Sequence, residues 1–209
     1  MKFLVTAGPT REYIDDVRYL SNASSGRMGC ALVQAAKAAG AAVTFVCGPI
    51  DREHPPCDEV VRVTSAAEMR RAVVRRAPKA DVVLMAAAVA DYRPARRVRG
   101  KMKKAERGRV LRLVPTADIL AELGRTRRAG QVLVGFALES RAARANALRK
   151  LRRKNLDLIV VNGPAAMGAD RSTVRLLFPS GRSEVLANRS KREIARRIVD
   201  VVLGLRKQT

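Results

Sequence analysis

Five short apolar runs, separated by longer amphipathic segments, constrain this chain more than any other feature. The runs occupy residues 2–6, 42–46, 81–85, 131–136 and 156–161. Several are continuous stretches of Val, Leu and Ile, as expected of parallel strands covered on both faces. Between them, residues 26–39, 66–76, 118–127 and 140–154 read as helices. This alternation predicts an α/β protein with a doubly wound, mostly parallel sheet. The punctuation agrees. Gly40 suits a left-handed cap behind the first helix. Ser65 with Glu68, and Ser190 with Glu193, form S-x-x-E capping boxes. Residues 173–178 and 183–187 flank Pro179-Ser180-Gly181-Arg182 and predict a C-terminal β-hairpin addition to the sheet. No internal repeat and no linker interrupts the pattern, so residues 1–209 read as a single domain.

Composition excludes several classes. Apolar residues make up 47% of the 209 residues, enough to bury a sizeable core, although aromatics are only 3%. No stretch approaches the ~20 uninterrupted apolar residues of a membrane span. The opening Met1-Lys2-Phe3-Leu4-Val5-Thr6 reads as a strand, not as a signal peptide. Cys30, Cys47 and Cys57 lie far apart with no C-x-x-C pair, which argues against zinc and for buried or half-buried thiols in a reducing cytoplasm. The formal net charge is +23. A surface this basic attracts nucleic acid, membrane headgroups or phosphorylated small molecules. The excess is scattered Arg, in pairs at 70–71, 75–76, 96–97, 127–128, 152–153 and 196–197. Base-stacking aromatics do not interleave with it, so a solvated Arg-rich surface is the preferred reading over a nucleic-acid role.

Two long loops, residues 7–25 and 86–109, stand out, since such loops in compact domains commonly bind ligands. In the first, hydroxyl and glycine residues open a helix and leave its N–H groups available to an anion. It is neither a Walker loop nor a G-x-G-x-x-G fingerprint. In the second, Ala86-Ala87-Ala88-Val89-Ala90-Asp91-Tyr92 follows a strand directly. Its small residues admit a flat ring or a ribose, and Asp91 could hold Mg²⁺ beside phosphates or simply cap a turn. Lys101, Lys103 and Lys104 repel one another unless an anion gathers them or water solvates them. Lys150 and Lys154, four apart on a predicted helix, share a face. The only histidine, His54, sits in a turn-like stretch and is expected on the surface.

Together these stretches resemble the phosphopantothenate–cysteine ligase (phosphopantothenoylcysteine synthetase) family of coenzyme A biosynthesis. The carrying segments are VTAGPTREYIDDVRYLSNASSGRMG at 5–29, AAAVADYRP at 86–94, KMKK at 101–104, ADIL at 117–120, GFALE at 135–139 and KLRRKNLDLIVVN at 150–162. The resemblance implies a Rossmann-like fold, a cytoplasmic homodimer, Mg²⁺, and CTP as co-substrate in preference to ATP. It implies a stand-alone form without the flavin-dependent decarboxylase domain, hence no flavin, with a separate decarboxylase as a candidate partner. The implied reaction joins 4'-phosphopantothenate to L-cysteine through an acyl-cytidylate, releasing pyrophosphate and CMP.

By the same resemblance, Asn22 holds the acyl-nucleotide and Lys101 stabilises charge on the phosphates. Arg18, Ser24, Ser25 and Gly26 join Asn22 in binding substrate. Ala86 and Ala87 line the nucleotide pocket, and Asp91 serves the Mg²⁺–nucleotide. Thr116, Ala117, Asp118, Ile119 and Phe136 frame base and ribose, while Lys150 and Lys154 bind the triphosphate. Three departures stand out: Thr116-Ala117 before Asp118 where a proline is more usual immediately before the Asp, Gly163 after Asn162 where an Asp is commoner, and Leu138 where a small residue is usual. A non-catalytic nucleotide- or nucleic-acid-binding Rossmann module is the alternative reading of the charge. Membrane association is not expected.

Overall fold

The computed structural model describes residues 1–104, 106–138, 143–163 and 169–207. The chain opens with β1 (Lys2–Ala7), β2 (Arg11–Tyr13) and β3 (Tyr19–Ser21), then α1 (Arg27–Ala38), β4 (Ala42–Cys47), β5 (Glu59–Arg62) and α2 (Ala66–Arg76). It continues through β6 (Val82–Met85), β7 (Tyr92–Pro94), β8 (Leu113–Pro115), α3 (Ile119–Thr126), β9 (Val132–Leu138) and α4 (Ala143–Arg153). It ends with β10 (Leu158–Asn162), β11 (Arg171–Leu177), β12 (Ser183–Ser190) and α5 (Lys191–Lys207).

An eight-stranded sheet runs in the order β12-β11-β10-β9-β6-β1-β4-β5. The pairs from β5 to β10 are parallel, and the β11–β12 hairpin adds antiparallel strands beyond β10. The α/β, Rossmann-like expectation and its hairpin addition therefore hold. Strand alternation divides the core in two. Phe3, Val5 and Ala7 join the layer under α1 and α5, whereas Leu4 faces the layer under α2, α3 and α4. Leu158 and Val160 against Ile159 and Val161 repeat the same division. With both faces covered, the run needs no polar side and reads as continuously apolar.

The predicted caps form. Gly40 takes φ 75° behind α1. At α2, Ser65 Oγ accepts from Glu68 N at 3.2 Å, and the Glu68 carboxylate reaches back to Thr64 N at 2.7 Å. At α5 the box is reciprocal: Ser190 Oγ accepts from Glu193 N at 3.3 Å and Glu193 Oε2 from Ser190 N at 2.8 Å.

Several expectations need correction. Residues 7–25 hold the β2–β3 hairpin, and the second long loop contains β7 and is followed by its partner β8. The edge strand β5 went unpredicted, because its residues are Glu, Val, Val and Arg and its order comes from the parallel backbone ladder with β4. His54 is half-buried, not a surface residue, because its ring packs edge-on against Phe45 with centroids 5.7 Å apart. The predicted helix over 140–154 is seen as α4 from Ala143; its earlier residues, and Glu139 of the GFALE segment, lie outside the described residues. Cys30 and Cys47 are buried and Cys57 is half-buried. Among the described residues, no helix is long and apolar enough to cross a membrane.

Candidate functional site

From β1 the chain winds outward through β4 and β5, then returns across the sheet to β6 on the other side of β1. A crevice opens at the carboxyl ends of β1 and β6, where the winding reverses, and such crevices hold ligands in open α/β sheets. Here a cleft of about 830 Å³ lies against the loop after β6 and the start of α1.

Two loops are stitched together at this point by groups far apart in sequence. Gly8, at φ 74°, turns the chain sharply after β1, and its carbonyl accepts from Ala88 N at 2.9 Å. Buried Thr6 accepts from Ala87 N at 3.1 Å through its hydroxyl, and buried Thr10 accepts from Ala90 N at 3.0 Å. Asn22 then spans the junction: its Nδ2 donates to the carbonyls of Ala88 at 3.2 Å and Val89 at 3.0 Å. With the amide nitrogen so committed, Oδ1 is the end left to face a ligand. Thr116 closes the loop from the far side, donating through Oγ1 to Ala90 O at 2.6 Å while its N–H donates to Asp91 O at 2.9 Å.

The start of α1 carries no side-chain cap. Gly26 takes φ 71°, and the first-turn backbone of Arg27, Met28 and Gly29 lines the cleft. A helix terminus of this kind presents donors and positive potential to an anion. Gly29 lets the helix lie close on β1, since a Cβ there would overlap that of Ala7.

The opposite wall is cationic. Asp118 caps α3, accepting from Ala121 N at 3.0 Å, and receives Lys154 Nζ at 2.9 Å. Burial pushes the Asp118 carboxyl up, but Lys154, the Ala121 N–H and the charge of Arg153 together bring it below the ordinary carboxylate value. Lys154 lies just past the end of α4, yet its N–H still bonds Lys150 O at 2.9 Å, so the two lysines keep their helical spacing. Both line the cleft, and so does Arg153.

Among the residues singled out from sequence, Asn22, Ser24, Ser25, Gly26, Ala86, Ala87, Asp91, Thr116, Ala117, Asp118, Ile119, Phe136, Lys150 and Lys154 all line this one cleft. Arg18 and Lys101 do not; Arg18 donates to Met102 O instead, where the β2–β3 hairpin meets the segment that carries Lys101. The sequence reading missed Arg153, legible as a third cation on the basic helix, and Lys191, which arrives from the start of α5 with no local signal. Burial, then the charge of Arg27, lowers the Lys191 ammonium from its ordinary value. Cysteine chemistry has no footing in the core: burial, then the neighbouring Cys30, pushes the Cys47 thiol up to about 12.

A family model described as the DNA/pantothenate metabolism flavoprotein C-terminal domain matches residues 1–205. The chain belongs to this family. The segments at 5–29, 86–94, 101–104, 117–120, 135–139 and 150–162 all fall within the matched residues. The coenzyme A biosynthesis bifunctional protein CoaBC of Bacillus subtilis (strain 168) is 43% identical over 211 residues, covering 99% of this chain and 52% of that protein. The chain thus spans about half the length of this relative. A crystal structure of the C-terminal domain of a CoaBC protein superposes with a TM-score of 0.84 at 37% identity, covering 99% of this chain and 96% of that one. The DNA/pantothenate metabolism flavoprotein from Streptococcus pneumoniae shares the fold, with a TM-score of 0.87 at 22% identity, covering 98% and 99% of the two chains.

Proposed function

We propose that this chain joins 4'-phosphopantothenate to L-cysteine in coenzyme A biosynthesis, consuming CTP. The observation that carries this reading is the single cleft lined by the Asn22 amide, the Asp91 carboxylate and the Lys150 and Lys154 ammonium groups, at the switch point of the sheet. The 43% identity to a bifunctional protein of coenzyme A biosynthesis supports it.

The chemistry suits such a site. A carboxylate is a poor acyl donor, because oxide is a poor leaving group. In the first half-reaction a substrate carboxylate oxygen attacks the α-phosphorus of CTP. The bond to the bridging oxygen breaks, and pyrophosphate leaves with the electron pair. In the second, the cysteine amine attacks the acyl carbon, CMP departs with the electrons of the C–O bond, and the surplus proton passes to solvent. Negative charge moves between phosphate oxygens in both steps, so alignment and electrostatic stabilisation carry the catalysis. Lys150, Lys154 and the α1 terminus hold the triphosphate in this reading, and Asn22 Oδ1 orients the mixed anhydride.

Asp91 is exposed on the cleft and is the carboxylate that would hold Mg²⁺. Among the described residues no three His, Cys, Asp or Glu gather as a metal cage. One carboxylate completed by phosphate oxygens and water suits a Mg²⁺ that arrives with the nucleotide. Bound there, the ion would neutralise phosphate charge. The reading assigns no flavin to this chain. Arg18 and Lys101 lie outside the cleft of their own chain, which supports a homodimer in which a second copy supplies them. A nucleotide panel with phosphopantothenate and cysteine present tests the reading. Sustained pyrophosphate release that requires both co-substrates, fastest with CTP, is expected, with only a single-turnover burst when cysteine is left out. Release with neither acid nor amine dependence would overturn it.

A further inference from the structure

Arg18 and Lys101 stand 83 positions apart in sequence (101 less 18), yet one buried carboxylate bonds both Arg18 and the main chain of Met102, the residue next to Lys101. Asp15 lies in the turn between β2 and β3, and its side chain is fully buried. Its Oδ1 accepts from Val17 N at 2.8 Å and from Arg18 N at 2.7 Å. Its Oδ2 accepts from Met102 N at 3.1 Å, with Arg18 Nε 3.7 Å away. Arg18 closes the circuit by donating from Nη2 to Met102 O at 2.8 Å. On the other side of Lys101, Asp16 Oδ2 accepts from Gly100 N at 2.8 Å, and Asp16 N donates to Gly100 O at 3.4 Å. The main chain is therefore tied on both sides of Lys101, while the lysine itself stays exposed.

Burying a carboxylate is costly unless its oxygens are fully engaged. At Asp15 the N–H of Arg18, then that of Val17, hold the charged form and outweigh the effect of burial, leaving its pKa below the ordinary value. A turn that needed only local closure would use the two N–H groups on Oδ1. The bond from Oδ2 to Met102 reaches a segment 87 positions away and adds nothing to the turn itself.

We propose that Asp15, backed by Asp16, is a positioning residue that locks Arg18 and the Lys101 loop into one unit, so that the substrate-binding and the phosphate-stabilising cation enter the second copy's cleft at a fixed spacing. This rests on the ligase reading above. Asp15→Asn is the informative change. A carboxylate accepts on both oxygens, whereas an amide presents one NH₂ end and leaves a donor facing either Met102 N–H or the Arg18 and Val17 N–H groups.

The test combines amide hydrogen exchange with a mutant cycle on the full chain. In Asp15→Asn, exchange in the segment 98–104 is expected to accelerate at least about tenfold where its protection came from these bonds, with the β6 and β10 amides unchanged. Nucleotide activation, followed as pyrophosphate release, is expected to slow about tenfold in Asp15→Asn, since misplaced catalytic groups lose rate steeply. In a background carrying both Arg18→Gln and Lys101→Gln the same change is expected to cost less than about twofold, because the residue acts through those two cations. Equal losses in both backgrounds would show a merely structural role and overturn the proposal. Unchanged exchange at 98–104 would overturn the latch itself. Should Asp15→Asn not fold, the exposed Asp16→Asn probes the same loop from the Gly100 side, with the same two expectations. Absence of pyrophosphate release from the wild-type chain would instead overturn the ligase reading, and with it the catalytic half of the proposal, while the exchange measurement still decides the latch.

Discussion

Asn22 sits where the chain leaves β3, with its amide nitrogen committed to the carbonyls of Ala88 and Val89. Replacing it by Asp sets a carboxylate oxygen against two carbonyl oxygens at about 3 Å, a like-charge contact with no donor between. The Asn22→Asp variant is therefore expected to form the activated intermediate but to slow amide formation roughly 10²-fold, since the labile anhydride is no longer held in line. Single-turnover kinetics check this: pyrophosphate appears ahead of CMP. Normal amide formation would remove Asn22 from its assigned role. The pairing of Lys154 with Asp118 could not be read from spacing, because the two residues are 36 positions apart and meet only when α4 packs beside α3. His54 shows the same limit in the apolar core. A turn composition said surface, but Phe45 offers its ring from the neighbouring strand.

Among the elements, long periodic segments were legible and short ones were not. The central strands announce themselves as short continuous apolar runs and the helices by the 3.6-residue period. The three-residue strands β2, β3, β7 and β8 are too short to show any period, and their order comes from pairing with one another. Helix α1 depends on Gly29 for its close approach to β1. A methyl group there must push helix from strand, so Gly29→Ala is expected to cost about 1–3 kcal/mol by urea denaturation. It is also expected to weaken nucleotide binding by displacing the α1 terminus. Helix α5 depends on its capping box. The Ser190 backbone N–H, then the Ser190 hydroxyl, lower the Glu193 pKa from 4.5 to about 2. A folded pKa below the unfolded one gives stability that is fully present above pH 4.5 and fades as pH falls toward 2. Glu193→Gln is expected to flatten that part of the acid limb and to leave the stability difference between pH 5 and pH 7 unchanged, measured by denaturation across pH. An acid limb as steep as the wild type's would exclude the box as its source.

For the molecule as a whole, charge governs the energetics outside the core. Forty-two Lys and Arg face nineteen Asp and Glu, so pairing cannot neutralise the surface. Many of the carboxylates are taken by Arg forks, as in Arg70 with Glu122, Arg127 with Asp157 and Arg197 with Glu184. The remaining cations repel one another in the compact state. Raising KCl from about 0.01 M to about 1 M shortens the Debye length from roughly 30 Å to about 3 Å, so the thermal midpoint is expected to rise. A falling midpoint would mean that screening of the ion pairs outweighs relief of the repulsion. Residue order alone sufficed for the layers, the parallel core and the helix caps, because burial of an apolar face and capping of a helix end involve neighbours within one or two turns of chain. It was also enough to place most cleft residues at strand ends and helix starts. The entry of Lys191, the bond from Asp15 to Met102 and the exclusion of Lys101 from its own chain's cleft required the packed molecule. Those meetings join segments tens of residues apart, and their proximity is set by the order in which strands add to the sheet, which no local pattern encodes.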